Sequence, residues 1–331
     1  MKFRIASMAL AAGLLLTCAA PVYADITPEE PLPAQSEQED APAVFYLDGE
    51  PLYSVEAQCI NGTYYVTLAS IMPLLDSTAV VEEWDGAATL TAQAEAVTEQ
   101  TFQAEEGQQA LPVLENPTIY GYLLQTEEEP QQAAVEVLDT LTLTARAGES
   151  YLVANGRYLY AQDGILTING SVAVPVRLLA AALKLSVGYD ADTASVLLSR
   201  SGEAGYLEDG ESYYDADELY WLSRIIYCES GNQPLSGKIA VANVVLNRTR
   251  HWMFPDTVYD VIFQKNQFSP AGSGSIYVKE PNEESVIAAK LALDGATVLA
   301  DALFFNRTGL TCYASRNRSY ITTIGGHSFY A

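Results

Sequence analysis

Residues 217–231 read Asp217-Glu218-Leu219-Tyr220-Trp221-Leu222-Ser223-Arg224-Ile225-Ile226-Tyr227-Cys228-Glu229-Ser230-Gly231. Asp217 and Glu218 open the stretch, where the positive end of a helix dipole favours acids. Leu219, Leu222, Ile225 and Ile226 recur at helical spacing, and Ser230-Gly231 closes the run as a C-cap signature. Continued past Leu222, the apolar stripe reaches Glu229 in the last turn. There both desolvation and the free carbonyls of the helix end disfavour a carboxylate. Its pKa is expected to rise, which is what a general acid working near neutral pH requires. The competing reading turns Glu229 out into solvent at the helix end.

A second helix follows. Asn232 is placed to cap it and Pro234 suits its first turn. Ile239, Ala242, Val245, Leu246 and Thr249 form its buried stripe. Asn243 and Asn247 share a face, and they brace loops more often than they hydrogen-bond sugars. Arg248 is expected to pair with a carboxylate. Next comes a loop-rich stretch punctuated by Trp252, Phe254, Phe263 and Phe268. In it Gln267-Phe268-Ser269-Pro270 sets two polar side chains around an aromatic in a proline-stiffened turn, a plausible sugar-binding ledge. A helix over 282–293 and a buried strand-like run, Leu303-Phe304-Phe305-Asn306, lead to the final Ile324-Gly325-Gly326-His327-Ser328-Phe329-Tyr330. Residues 216–331 therefore read as a mainly α domain.

Upstream, the texture is different. Ile60-Asn61-Gly62-Thr63-Tyr64-Tyr65-Val66-Thr67-Leu68 is echoed by Ile168-Asn169-Gly170-Ser171-Val172-Ala173-Val174-Pro175-Val176. Each run leads into a short helical patch and then a β-rich run. Asp48-Gly49 and Asn155-Gly156, with strand-like flanks, are hairpin signals. Residues 43–200 thus read as an α+β domain made of a duplicated strand-helix-strand pattern. Residues 25–42 hold four prolines, six acids and no basic residue, too little apolar surface to fold alone. They form an acidic, Pro-rich linker, and the Gly- and acid-rich 201–215 is a second.

Residues 1–24 carry Lys2 and Arg4, an apolar run and Val22-Tyr23-Ala24, the pattern of a cleaved secretory signal peptide. A membrane anchor or a lipid on Cys18 are the alternatives. The mature protein is expected outside the cytoplasm, free of the membrane. Cys59, Cys228 and Cys312 are no disulfide framework: either Cys228 bridges Cys312 or all three are buried thiols. The net charge of −25 is uneven, since from Asp217 onward ten acids balance ten bases. Such a chain has no electrostatic means to bind nucleic acid or an anionic membrane. Polyanions are repelled over long range, so substrate contacts should be hydrogen bonds and aromatic stacking. His251 and His327 are the only histidines, so a multi-histidine metal site cannot be built. No cofactor or metal is expected.

The motifs Arg224–Gln233, Gly237–Arg248, Phe254-Pro255, Val261-Ile262, Gln267–Pro270, Phe304–Asn306 and Ile324–Tyr330 resemble, in this order, the SleB-type cell-wall hydrolase domain of spore-cortex-lytic enzymes. The resemblance implies a lysozyme-like, mainly helical fold. It also implies peptidoglycan as partner, cut between N-acetylmuramic acid, or a muramic δ-lactam relative, and N-acetylglucosamine. It makes Glu229 the catalytic residue, and it places Gln267, Ser269, Asn306, His327 and Tyr330 in or behind the cleft beside Phe268. Gly326 stands where the family often has a larger polar residue. Asn169-Gly170 with Val174-Pro175-Val176-Arg177 resembles the copper amine oxidase N-terminal-like domain, a spacer or a module for another wall polymer or protein. Residues 43–200 contain no histidine, so copper is not implied.

Ordinary glycosidases flank the bond with two carboxylates. Asp256, Asp260 and Glu280 are the available second acids, none in a persuasive context. A lytic transglycosylase needs only Glu229, as acid and then base, and is the preferred expectation over plain hydrolysis. A Cys228/His327 thiol peptidase, a zinc amidase and a non-catalytic wall-binding protein are the rivals.

Overall fold

The computed structural model describes residues 44–93, 140–200 and 205–331. The expected signal peptide (1–24), the linker 25–42 and positions 201–204 lie outside the described residues.

The N-terminal part is sheet-rich. A hairpin, β1 (Val44–Leu47) and β2 (Glu50–Leu52), is joined through Asp48 and Gly49, both at positive φ. That pairing suits a tight two-residue hairpin turn. A second hairpin, β3 (Ala57–Ile60) and β4 (Thr63–Thr67), runs into α1 (Leu68–Leu75). Then come β5 (Val80–Trp84), β6 (Ala87–Gln93), β7 (Thr140–Arg146), and the hairpin of β8 (Tyr151–Ala154) and β9 (Arg157–Tyr160). Asn155 and Gly156 form its turn, again at positive φ. The series ends with β10 (Leu166–Ile168), β11 (Ser171–Pro175), α2 (Val176–Ala182), β12 (Leu185–Asp190) and β13 (Ser195–Arg200).

Pairing crosses the whole segment. The sheets run β12-β13-β1-β2, β10-β11-β4-β3 and β5-β6-β7-β8-β9. β1 lies parallel to β13 with Val44 opposite Ser195, and β4 pairs β11 antiparallel with Val66 opposite Val174. Phe45, Val66, Ile71, Leu90, Leu143 and Val174 share one core. Residues 44–93 are thus not separable from 140–200.

Residues 205–215, expected as linker, are instead docked. Tyr206 and Leu207 join the N-terminal core, and Tyr214 is buried. The short α3 (Gly210–Tyr213) is capped by Asp209, whose side chain accepts from the Glu211 amide at 2.8 Å. Composition gave the linker reading, but two tyrosines and a leucine supply enough apolar surface to anchor the segment.

The C-terminal part is built on α4 (Ala216–Ser230) and α5 (Leu235–Thr249), followed by α6 (Val258–Phe263), α7 (Ser269–Ser273), α8 (Ser275–Val278) and α9 (Glu283–Leu293). The chain ends in β14 (Phe304–Arg307), α10 (Tyr313–Asn317), β15 (Tyr320–Ile324) and β16 (His327–Tyr330), a sheet ordered β14-β16-β15. α4, α5 and α9 pack together through Leu222, Ile225, Ile226, Ala242, Ala288 and Leu291. Among the described residues no helix is long and apolar enough to cross a membrane.

Two local expectations change. Pro234, not Asn232, sits at the N-cap of α5. Asn232 instead accepts from the Gln233 side chain at 2.9 Å. Buried Lys238 ties this turn down, donating to the Gln233 carbonyl at 2.7 Å and pairing with Glu284 of α9. Cys59, Cys228 and Cys312 are all free thiols. Cys228 packs against the helical core from α4, while Cys312 is spent capping α10. No 228–312 bridge forms.

Candidate active site

Asp215 starts α4 by accepting from the Glu218 amide at 2.9 Å, with Asp217 and Glu218 in the first turn. At the other end, buried Ser230 donates back to the Ile226 carbonyl at 2.8 Å. The last turn therefore stays closed, and it presents Glu229 to a cleft of about 760 Å³. Burial raises the pKa of Glu229, and Lys279 opposes the rise only in part.

Glu229, Gln267, Phe268, Ser269, Asn306 and His327 come together in this one cleft. Gln267–Ser269 lead into α7, with Pro270 fixing its first turn. Asn306 and His327 are brought by neighbouring strands, where Arg307 lies opposite His327. Asn306 donates to the Leu310 carbonyl at 2.7 Å, holding the loop after β14. His327 is nearly buried, edge-on to Phe305 at 5.4 Å, and burial lowers its pKa. Tyr330 does not line the cleft. It is buried at the end of β16, opposite Phe304, with its ring against Tyr320 at 5.9 Å.

The three further carboxylates considered from sequence lie elsewhere. Glu280 is clamped by Arg224 through contacts of 2.7 and 2.8 Å, and Asp260 bonds the Thr257 hydroxyl at 2.8 Å at the start of α6. Asp256 is exposed and does not line the cleft. Cys228 is also outside the lining, and burial pushes its thiol pKa up. That is the opposite of what a nucleophilic thiolate needs.

Asn243 and Asn247 brace loops. Asn243 donates to the Ala296 carbonyl at 2.8 Å and accepts from the amides of Val298 and Leu299 at 2.8 and 3.2 Å. Asn247 donates to the carbonyls of Leu299 and Ala302. Asn243→Ala strands three backbone groups, two buried and one partly buried, and its expected cost is about 1–3 kcal/mol. Urea denaturation measures this, and an unchanged midpoint refutes the bracing role.

Arg248 departs from expectation. It pairs with no carboxylate among the described residues. Its Nε donates to the Leu303 carbonyl at 2.8 Å, and its guanidinium lies against Phe254, Phe268 and Phe304 at 4.8, 5.2 and 5.4 Å. A carbonyl and three ring faces take the place of the expected acid. Arg248 lines the cleft, as do Phe263, Gln264, Lys265 and Arg307, none of which sequence reasoning had assigned to it. Arg248 could have been found by the logic that found Glu229: it is a charge falling on the helical spacing of Val241 and Val244.

Residues 232–330 match the Cell Wall Hydrolase family, and residues 91–198 match the Copper amine oxidase N-terminal domain. The C-terminal domain belongs to the cell wall hydrolase family. Glu229 stands just ahead of the matched span. A spore cortex-lytic enzyme of Oceanobacillus iheyensis is 34% identical over 117 residues, covering 35% of this chain and 42% of that protein. One of Bacillus cereus is 35% identical over 117 residues, covering 35% of this chain and 45% of that protein. The chain thus spans less than half the length of these relatives. The solved catalytic domain of the germination-specific lytic transglycosylase SleB from Bacillus anthracis is 32% identical, with a TM-score of 0.34. The alignment covers 38% of this chain and all of that domain. The hydrolase domain and the N-terminal match together account for the two-part layout, sheet-rich and then helical.

Proposed function

We propose that the hydrolase domain cuts peptidoglycan glycan strands between N-acetylmuramic acid and N-acetylglucosamine, as a lytic transglycosylase with Glu229 as acid and then base. One observation carries this reading: among the described residues, Glu229 is the sole carboxylate lining the cleft. A two-carboxylate hydrolytic arrangement has no second member there. Protonated Glu229 gives its proton to the glycosidic oxygen as the bond to the muramic C1 breaks. The resulting carboxylate then takes the proton of the muramic C6 hydroxyl as that oxygen bonds to C1, closing a 1,6-anhydro ring. One group in both roles needs a pKa near the working pH, and the burial of Glu229 moves its pKa in that direction.

In this reading Gln267, Phe268, Ser269, Asn306 and His327 hold the strand in a lysozyme-like cleft. Tyr330 supports the sheet behind it. Residues 43–200 act as a spacer or as a module for a further wall polymer or protein, its two strand-to-helix units β4–α1 and β11–α2 being copies of one pattern. The secretory signature of residues 1–24 puts the enzyme outside the cytoplasm. Mass spectrometry of digested peptidoglycan tests the chemistry. Anhydro-muramic ends are expected, and reducing ends alone would mean that water, not the C6 hydroxyl, attacks.

A further inference from the structure

Arg248 is only 4% exposed, yet it lines the cleft. Its Nη1 is buried with no hydrogen-bond partner. Desolvation pushes its pKa down to about 10, which leaves it charged at neutral pH. A buried cation without a counter-charge is costly. The rings around it supply a cation–π contribution but no negative charge.

The surroundings point the same way. Five buried side-chain polar atoms lack partners among the described residues, and four belong to this cleft: Arg248 Nη1, Gln264 Oε1, Asn306 Oδ1 and His327 Nδ1. Lys265 and Arg307 add two further cations to the lining, against Glu229 as its one acid. In a chain of net charge −25, the cleft is locally positive. To the hydrogen bonds and aromatic stacking expected from overall charge, this lining adds cationic side chains. Sugar hydroxyls and N-acetyl groups could fill hydrogen bonds here but would leave the charge of Arg248 unanswered.

We infer that Arg248 is a carboxylate-recognition residue of the cleft, binding a carboxylate carried by the muramic acid unit. This deepens the proposed glycan-cleaving reading and rests on it. Two sources present that chemistry: the lactyl carboxylate of a peptide-free muramic acid, or a carboxylate on the stem peptide. In an intact stem the lactyl group is tied up as an amide, so the sources can be separated.

The experiment uses the full chain on four glycan substrates: strands with intact stems, strands stripped of stems by an amidase, and each of these with its carboxylates amidated. Wild type is expected to show KM about tenfold or more higher on amidated strands, with kcat little changed. Preference for stripped strands identifies the lactyl group, and preference for intact ones the stem. Arg248→Met keeps the packing against the three rings but also loses the bond to the Leu303 carbonyl, so it should raise KM more on carboxylate strands than on amidated ones and abolish the difference between the two. Equal wild-type KM with and without carboxylates overturns the inference and leaves glycan cleavage standing. Equal loss by Arg248→Met on both kinds also overturns it, assigning Arg248 to structure. Cleavage of none of the four substrates overturns the underlying reading as well.

Discussion

Glu229→Gln is expected to lower glycan cleavage by about 10²–10⁴-fold, the usual contribution of a general acid–base group, with the fold intact. Gln fills the same space and can hydrogen-bond, but it neither gives nor takes a proton. Because no other carboxylate lines the cleft among the described residues, no neighbour can stand in. The same substitution should stabilise the protein near neutral pH. The pKa of Glu229 is raised in the folded state by burial. Its burial therefore costs nothing while both states are protonated, below the ordinary carboxylate range. The cost grows as pH rises through that range and up to the shifted value, because the native state must then ionise a desolvated group. Gln carries no such cost at any pH. Thermal unfolding of the two proteins should nearly coincide in acid and diverge towards neutrality, with the variant higher. For wild type, the acid role of Glu229 implies an alkaline activity limb displaced upward from that of a free carboxylate. Wild-type cleavage retained by Glu229→Gln would falsify the assignment. A variant less stable at neutral pH would contradict the burial argument alone.

The legibility of this site has a physical cause. Glu229 is an acid on the apolar stripe of an amphipathic helix, and a local period is enough to see that. The Gln267–Ser269 turn was readable because proline fixes its backbone. Tyr330 was harder to place. β16 is the central strand of its sheet, and all four of its residues are buried. With both faces covered, alternation no longer says which side meets the cleft. Arg248 was recognisable as a residue needing a partner, but three rings and a carbonyl from distant positions supply its surroundings, and no local pattern lists them.

The N-terminal fold divides in the same way. Asp48-Gly49 and Asn155-Gly156 announce their hairpins because a two-residue turn needs positive φ. The pairing of β1 with β13 joins residues about 150 positions apart, and nothing in either strand names the other. The docking of 205–215 was masked by its glycines and acids, which outnumber the few anchoring side chains.

Those anchors lead to the largest stability effect expected away from the cleft. Asp294, at the C-cap of α9, has a side chain only 1% exposed, and it pairs with Arg157 of β9. Tyr214 donates to the other oxygen of the same carboxylate and accepts from the Tyr158 amide at 3.0 Å. Burial, and then the bond to Asp294, hold the Tyr214 phenol well above its ordinary pKa, so it remains a donor. Arg157 lies over the Tyr213 ring at 3.3 Å, and Lys290 over those of Tyr158 and Tyr214. One carboxylate thus fastens the β8–β9 hairpin and the 205–215 segment to α9, which itself packs on α4. Asp294→Ala leaves a nearly buried guanidinium and a phenol without their acceptor, at an expected cost of about 3–5 kcal/mol. At about 2–4 °C per kcal/mol for a chain of this size class, the melting temperature should fall by roughly 6–20 °C. Adding Arg157→Met should restore part of the loss, because the stranded charge goes with it and neighbouring sites are not additive. A fall confined to a degree or two would show that water reaches the pair and that the hairpin is only lightly held. Loss in the single variant with recovery in the double one would establish that the two parts of the chain are joined through this carboxylate.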